Sequence, residues 1–316
     1  MQGTTFRRIM VVWPRRVLIM ALAGVLILAL MPRSSIAGQQ RPQETTPAAS
    51  ASPEQLQQLV APIALYPDAL VAQILAASTY PTEVVQADRW LQQHPNLRGQ
   101  QLATAVDRES WDPSVKALTM FPSVLANLDK NLSWTEDLGD AYFYQQQDVL
   151  DAVQFMRRRA EDAGNLQTTT QERVVNEGPQ IVIETAQPDV CYVPTYDPWI
   201  VYGAPLAFYP GYFYDGWVGP PFISFGPAIR LGLFGGFGWG WPAWGFNWGR
   251  RVVVFNHNPY VSRSRYFFHH GPFIGARGIG APRRGLPPGL RDRGFNNRAG
   301  VGPKCLCTYS RTCSVL

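Results

Sequence analysis

The stretch SPEQLQQLVAPIALYPDALVAQILAASTYPTEVVQADRWL, residues 52–91, decides the fold class. Ser52-Pro53-Glu54-Gln55 is a capping box with proline at the first helical position, so a helix starts there. Leu56, Leu59, Val60 and Ile63 recur at helical spacing and make one apolar stripe. Tyr66-Pro67 and Tyr80-Pro81 then punctuate the chain, and the same aromatic-proline step returns at Trp111-Asp112-Pro113 and Phe121-Pro122. Proline has no amide hydrogen to donate, so each one ends a helix and is well placed to open the next. In the third step Asp112 is the natural N-cap. Short amphipathic segments lie between the steps: Leu70/Val71/Ile74/Leu75, Val84/Ala87/Trp90/Leu91 and Leu102/Ala105/Val106. The aromatics before the prolines read as core staples, not as binding residues.

Further along, Ser133-Trp134-Thr135-Glu136 reads as a second capping box, opening one long helical stretch that ends at Gly164. Glu136, Asp137 and Asp140 fall in its first turns and Arg157-Arg158-Arg159 near its end, the order a helix macrodipole favours. The arginine run reads as a solvated helix end. Three β-like runs follow at 172–176, 180–185 and 190–193, with a hairpin connection expected between the second and third. The expected fold is mainly α: a compact bundle of short helices closed by a small antiparallel β-sheet over 52–203. A largely irregular Gly/Pro/aromatic-rich and Arg-rich tail is expected after it. About 150 residues is ample for a hydrophobic core.

Residues 1–37 carry five arginines, no acid and an apolar run at 17–31, the composition of an export signal. Ser35-Ile36-Ala37 supplies the small residues for cleavage before Gly38. A retained membrane anchor is the competing reading, although 17–31 is short against the roughly 20 residues of a spanning helix. Residues 38–51 are a polar Pro/Ala/Ser linker. On either reading the chain works outside the cytoplasm, and nucleic acid is not an expected partner. Four cysteines, Cys191, Cys305, Cys307 and Cys313, allow three disulfide connectivities in an oxidising compartment.

The segments LVAPIALYPDALVAQILAASTYPTEVVQADRWL (59–91), WDPSVKALTMFPSVL (111–125), WTEDLGDAYFYQQQDVLDAVQFMRRRAEDAGNL (134–166) and CYVPTYDPWIVYG (191–203) resemble a bacterial family. It is the domain-of-unknown-function family 3300, and the resemblance covers roughly 55–203. It implies an exported Gram-negative envelope protein whose helical domain precedes a variable Gly/Pro/Tyr/Trp-rich tail. It implies no activity, cofactor or catalytic residue.

The charge divides sharply near residue 200. Residues 38–200 hold 10 Lys/Arg against 21 Asp/Glu, a net of −11; residues 201–316 hold 13 against 2, a net of +11. Residues 204–260 form an aromatic, Gly/Pro-rich region, and 231–248 (LGLFGGFGWGWPAWGFNW) carries no charge at all. Six glycines and a proline rule it out as a lipid-crossing helix. Trp239, Trp241, Trp244 and Trp248 suit an interface with one apolar and one wet side. Shallow membrane contact, sugar stacking and packing against the helical domain are all compatible with this composition. Residues 261–316 read as a basic disordered tail. The candidate surface-binding residues are these four tryptophans with Arg250, Arg251, Arg283 and Arg284. The expected partner is an anionic envelope component (lipid headgroups, lipopolysaccharide or peptidoglycan) or an envelope protein.

Chemistry-bearing patterns are sparse. His94, His257 and His269-His270 have no ligand-like spacing to Cys, Asp or Glu, so no metal or cofactor is expected. Nucleophile-elbow, metalloprotease and phosphate-loop motifs are absent. Asp137 and Asp140 share a helix face, but acid-rich first turns are common without catalysis. The leading expectation is a non-enzymatic exported envelope protein: a scaffold or protein-interaction domain attached by its basic aromatic tail, in the periplasm or at the membrane. The alternative is an envelope hydrolase or glycan-binding enzyme using carboxylates of the helical domain.

Overall fold

The computed structural model describes residues 50–204, 206–207, 209–213 and 222–268. The first six helices among the described residues are α1 (Pro53–Val60), α2 (Asp68–Ser78), α3 (Pro81–Gln93), α4 (Gly99–Asp107), α5 (Pro113–Leu118) and α6 (Pro122–Lys130). The capping box forms as read: Ser52 Oγ accepts from the Gln55 amide at 3.3 Å, and Gln55 Oε1 accepts from the Ser52 amide at 2.8 Å. Pro81, Pro113 and Pro122 each open a helix, and Asp112 caps α5 by accepting from the Ser114 amide at 2.9 Å. Of the aromatics before the prolines, Trp111 and Phe121 are buried and Tyr66 and Tyr80 are half-buried against the core.

The second capping box does not form. Helix α7 (Leu132–Tyr144) starts one residue before Ser133, and no side chain caps it. The residues of the presumed box serve tertiary packing instead: the buried Trp134 indole donates to the Leu59 carbonyl at 2.9 Å, and the Thr135 hydroxyl donates to the Leu128 carbonyl at 2.8 Å. Nor is the stretch one helix. It breaks at Gln145 and resumes as α8 (Gln146–Asp162), closed by Gly164 at φ +74°. At the break the Gln145 side chain accepts from the Ala51 amide at 2.8 Å and donates to the Ala51 carbonyl at 3.3 Å. This amide pairing fixes where the chain enters α1.

Among the described residues three small antiparallel sheets join the helices, so the fold is mainly α with small sheets. Strands β1 (Glu172–Glu177) and β2 (Gln180–Thr185) form a hairpin around Gly178, whose φ of +62° glycine tolerates without strain. Strand β3 (Val190–Thr195) does not pair with β2, contrary to the sequence reading. It pairs with β4 (Ser224–Arg230). The reason lies on the outer edge of β2. There the Ile181 amide donates to Gln154 and its carbonyl accepts from Gln154 and Arg157, while the Ile183 amide donates to Asp68. With that edge taken by helix side chains, no ladder to β3 is available.

The third sheet is β5 (Trp244–Asn247), β6 (Val252–Phe255) and β7 (Asn258–Pro259). Asn256 and His257, both at positive φ, make the tight turn between β6 and β7. Two short 3₁₀ turns, Gly232–Phe234 and Trp241–Ala243, lead into it. Gly240 is required between them, since an added Cβ would lie 2.3 Å from the Phe234 carbonyl oxygen. Helix α2 is the central element, buried from Leu70 through Ser78, with α5, α7 and β5 packed around it. The folded body therefore continues well past residue 203: Val253, Trp239 and Trp244 belong to the same core as α1 and α2. A last short helix, α9 (Arg265–Phe268), ends the described chain.

Candidate interaction surface

A buried polar hub is built around α8. Arg157 is fully buried, which corrects its reading as part of a solvated helix end. Its Nε donates to the Ala64 carbonyl at 2.8 Å, Nη1 to Asp68 at 2.6 Å and to the Ile181 carbonyl at 2.8 Å, and Nη2 to the Tyr66 carbonyl at 3.1 Å. Asp68, the first residue of α2, also accepts from the Ile183 amide at 3.2 Å and from the Trp248 indole at 2.8 Å. The guanidinium carbon lies 5.3 Å from the centre of a Trp248 ring, within cation–π range. One ion pair thus ties α2, α8, the hairpin and the aromatic segment together.

The same logic recurs around the domain. Trp239 donates to Asp107 at 2.8 Å, Tyr260 to Asp112 at 3.0 Å, Tyr209 to Asp137 at 2.9 Å and Tyr266 to Glu136 at 3.0 Å. Acids of the helical half accept from neutral indole and phenol donors of the aromatic half. Of the three roles compatible with the aromatic stretch, packing in cis accounts for these contacts. Asp137 and Asp140 are both buried in α7, so the acid pair noted in the sequence does not line an open cleft.

The predicted surface residues separate into groups. Trp239 and Trp244 are buried, and the Trp244 indole donates to the Trp239 carbonyl at 3.1 Å. Trp241 is half-buried against Phe121, with ring centres 5.7 Å apart, and Trp248 is half-buried in the hub. Arg250 and Arg251 are exposed, and Arg251 pairs with Asp151 at 2.7 Å. Arg283, Arg284, His269, His270, Cys305, Cys307, Cys313 and the presumed signal lie outside the described residues. His94 is exposed and stacks on Trp90 at 4.1 Å, and His257 sits in the β6–β7 turn. Among the described residues no cluster of His, Cys, Asp or Glu could hold a metal ion.

Sequence reading missed two acid environments. Asp88 on α3 and Asp129 on α6 both titrate above the usual carboxylate range. Burial is the main cause for each, and the Asp88 charge adds to it for Asp129. Spacing carried a signal, since Val84, Asp88 and Leu91 share one apolar stripe. The second is Glu172, at the start of β1. It is 1% exposed, and neither carboxylate oxygen has a hydrogen-bond partner. Burial raises it from 4.5 to about 8, against the opposing pull of Arg157. Cys191 on β3 is buried, and burial with the Glu172 charge raises its thiol to about 12, so it is a packed thiol rather than a nucleophile.

Among the grooves formed by the described residues, two combine apolar and polar walls. One of about 470 Å³ runs between α1 and α8, with Leu56, Ala152 and the exposed Phe155 as apolar wall and Asp148, Asp151 and Arg158 at its rim. The other, of about 210 Å³, is lined by Pro62, Tyr66, Asn127, Pro194, Tyr212 and the exposed Phe213 among others. Both mix apolar walls with polar rims, the character of a protein-contact surface. No helix among the described residues is long and apolar enough to cross a membrane.

A family model described as protein of unknown function (DUF3300) matches residues 52–271. The span agrees with a folded body that includes the aromatic segment. The chain is 36% identical over 231 residues to the uncharacterised protein YacH of Escherichia coli K12. That match takes in 60% of this chain and 37% of the longer relative. No solved structure matches.

Proposed function

This chain belongs to the DUF3300 family of proteins of unknown function, and we propose that it is a non-enzymatic exported envelope protein of a Gram-negative bacterium. The domain of 52–268 is a scaffold or protein-interaction module, and the segment beyond it attaches to an anionic envelope surface, in the periplasm or at a membrane. The supporting observation is where the charge changes sign relative to the fold. Residues 50–268 hold 14 Lys/Arg against 21 Asp/Glu, a net of −7, and residues 269–316 hold 8 against 1, a net of +7. Trp239, Trp244 and Trp248 spend their indole donors inside the body and Trp241 packs on Phe121, so the attaching role falls to the basic segment with Arg250 as an exposed neighbour. Lipid headgroups, lipopolysaccharide phosphates and cell-wall carboxylates share the chemistry that such a segment holds by Coulomb attraction, weakened by salt. The export-like composition of 1–37 supports a location where those anions are found.

The test compares residues 38–316 with 38–268 in co-sedimentation with purified sacculi and with anionic lipid vesicles at two salt concentrations. The reading expects pelleting that needs 269–316 and falls with salt, and the pellet that retains the protein identifies the surface. Equal pelleting of both proteins, or none, sinks the attachment role.

A further inference from the structure

We propose that the proline- and aromatic-lined groove between α6 and β3 is a docking site for a proline-rich segment of this same chain, residues 286–290. The inference stands apart from the attachment reading, and its test contains no envelope component. The groove, of about 210 Å³, is built from three prolines (Pro62, Pro194 and Pro198) and three aromatic residues (Tyr66, Tyr212 and Phe213). Its aromatic wall is braced from behind. Tyr212 packs edge-on against Trp134 with ring centres 5.0 Å apart, and the Phe213 amide donates to Asn131 Oδ1 at 2.6 Å. The Phe213 ring itself stays at the surface, 59% exposed, with the Lys130 ammonium 4.2 Å from its centre. Exposed Ser123 and Thr195 add hydroxyl donors to the lining.

Ring faces with hydroxyl donors beside them suit an extended polyproline segment, whose prolines pack on the rings and whose carbonyls accept hydrogen bonds. Such a segment loses little freedom on docking, because proline fixes its φ angles beforehand. The chain carries one in RRGLPPGLR (283–291), outside the described residues, where Pro287-Pro288 stands among two leucines and three arginines. Charge agrees. Residues 50–268 are net −7, and half-buried Asp197 lies between the lining residues Tyr196 and Pro198. Position agrees as well. The described chain ends at Phe268 on α9, where Tyr266 donates to Glu136 of α7 at 3.0 Å. Asn131, which holds Phe213, is the N-cap of that same helix, about 7.5 Å back along its axis. The 17 glycine-rich residues 269–285 have a root-mean-square reach of about 20–25 Å as a flexible linker. The segment therefore meets the groove at a local concentration on the order of millimolar.

The test titrates a fluorescein-labelled peptide of residues 281–292 with chains of residues 38–316, followed by fluorescence anisotropy. In the natural chain its own segment competes for the groove. The chain carrying Pro287→Ala and Pro288→Ala leaves the groove open and is expected to bind the peptide about 10-fold more tightly. That factor is a millimolar local concentration set against a peptide affinity of about 0.1 mM. Adding Phe213→Ser to the open chain is expected to abolish binding. Ser123→Trp, which fills the groove from the exposed start of α6, serves the same purpose if the Phe213→Ser protein is misfolded. A peptide with both prolines replaced by alanine keeps its three arginines and is expected not to bind. Equal behaviour of the natural and open chains overturns the proposal, and so does binding that survives both groove variants. Binding of the alanine peptide overturns it too, since charge alone would then hold the segment. Sedimentation velocity covers the remaining arrangement: a natural chain that excludes the peptide as a dimer, beside a monomeric open chain, moves the segment to a second copy and overturns docking within the chain.

Discussion

Asp68 and Arg157 stand 89 residues apart in the chain and meet at 2.6 Å, with the arginine side chain fully buried and the aspartate side chain 14% exposed. The pair is not self-sufficient. Three backbone carbonyls complete the guanidinium, and the Ile183 amide and Trp248 indole complete the carboxylate. Saturation of both partners is what makes a buried ion pair tolerable, because each unmet donor or acceptor carries its full desolvation cost.

Removing one member should therefore cost far more than removing both. Arg157→Met is expected to destabilise the domain by about 3–5 kcal/mol, since it strands the Asp68 carboxylate and three carbonyls. Adding Asp68→Asn should recover part of that loss. Urea unfolding of the two single variants and the double variant reads the coupling, and strict additivity of the two losses contradicts the hub.

Glu172 gives the domain a pH dependence of definite sign. Its ordinary value is 4.5 and its folded value about 8, so the folded state holds the proton more tightly. The contribution to stability is whole below about pH 4.5 and is lost as the pH climbs through about 8. Its slope is at most about 1.4 kcal/mol per pH unit. Buried Asp88 and half-buried Asp129 act in the same direction, so the diagnostic quantity is the difference from Glu172→Gln. Urea midpoints at pH 5, 7 and 9 should show the glutamine protein gaining on the natural one as the pH rises. Parallel curves would refute the assignment.

A truncation experiment separates the fold from the charge boundary. Residues 38–268 should keep a cooperative thermal transition close to that of the longer protein. Residues 38–203 should lose it, because Val253, Trp239 and Trp244 leave the core and Trp248 leaves Asp68. Calorimetry of the two proteins decides the point, and a sharp transition in 38–203 would overturn the single-core description.

Local chemistry was legible in the sequence. The Ser52 box, the Asp112 cap and the opening Pro81, Pro113 and Pro122 announce themselves within four residues and form as read, while Pro67 stands one residue earlier, at the N-cap of α2. What could not be read was tertiary. Three adjacent arginines look like a solvated helix end until the carbonyls of Ala64, Tyr66 and Ile181 converge on one of them. Spacing held a trace of this, since Val153, Arg157 and Ala160 fall on the buried stripe of α8. Pairing of β3 with β4 was hidden because the partner follows the Gly/Pro/Tyr-rich stretch, with no short hairpin turn to announce it. The tryptophans were legible as interfacial residues, but composition does not reveal that the interface lies within the chain.

The bond from Trp248 to Asp68 spans 180 residues, which bears on the order in which the molecule acquires its structure. A chain emerging N-terminus first from any narrow passage presents α2 long before the indole that completes its carboxylate. Until about residue 248 is clear, the helices can assemble only as an unlocked intermediate, with acceptors facing water and apolar surface uncovered. Closure then depends on contacts of high sequence separation, the kind that slows folding most. The bond that completes the α2 carboxylate is thus made by a residue synthesised 180 positions later.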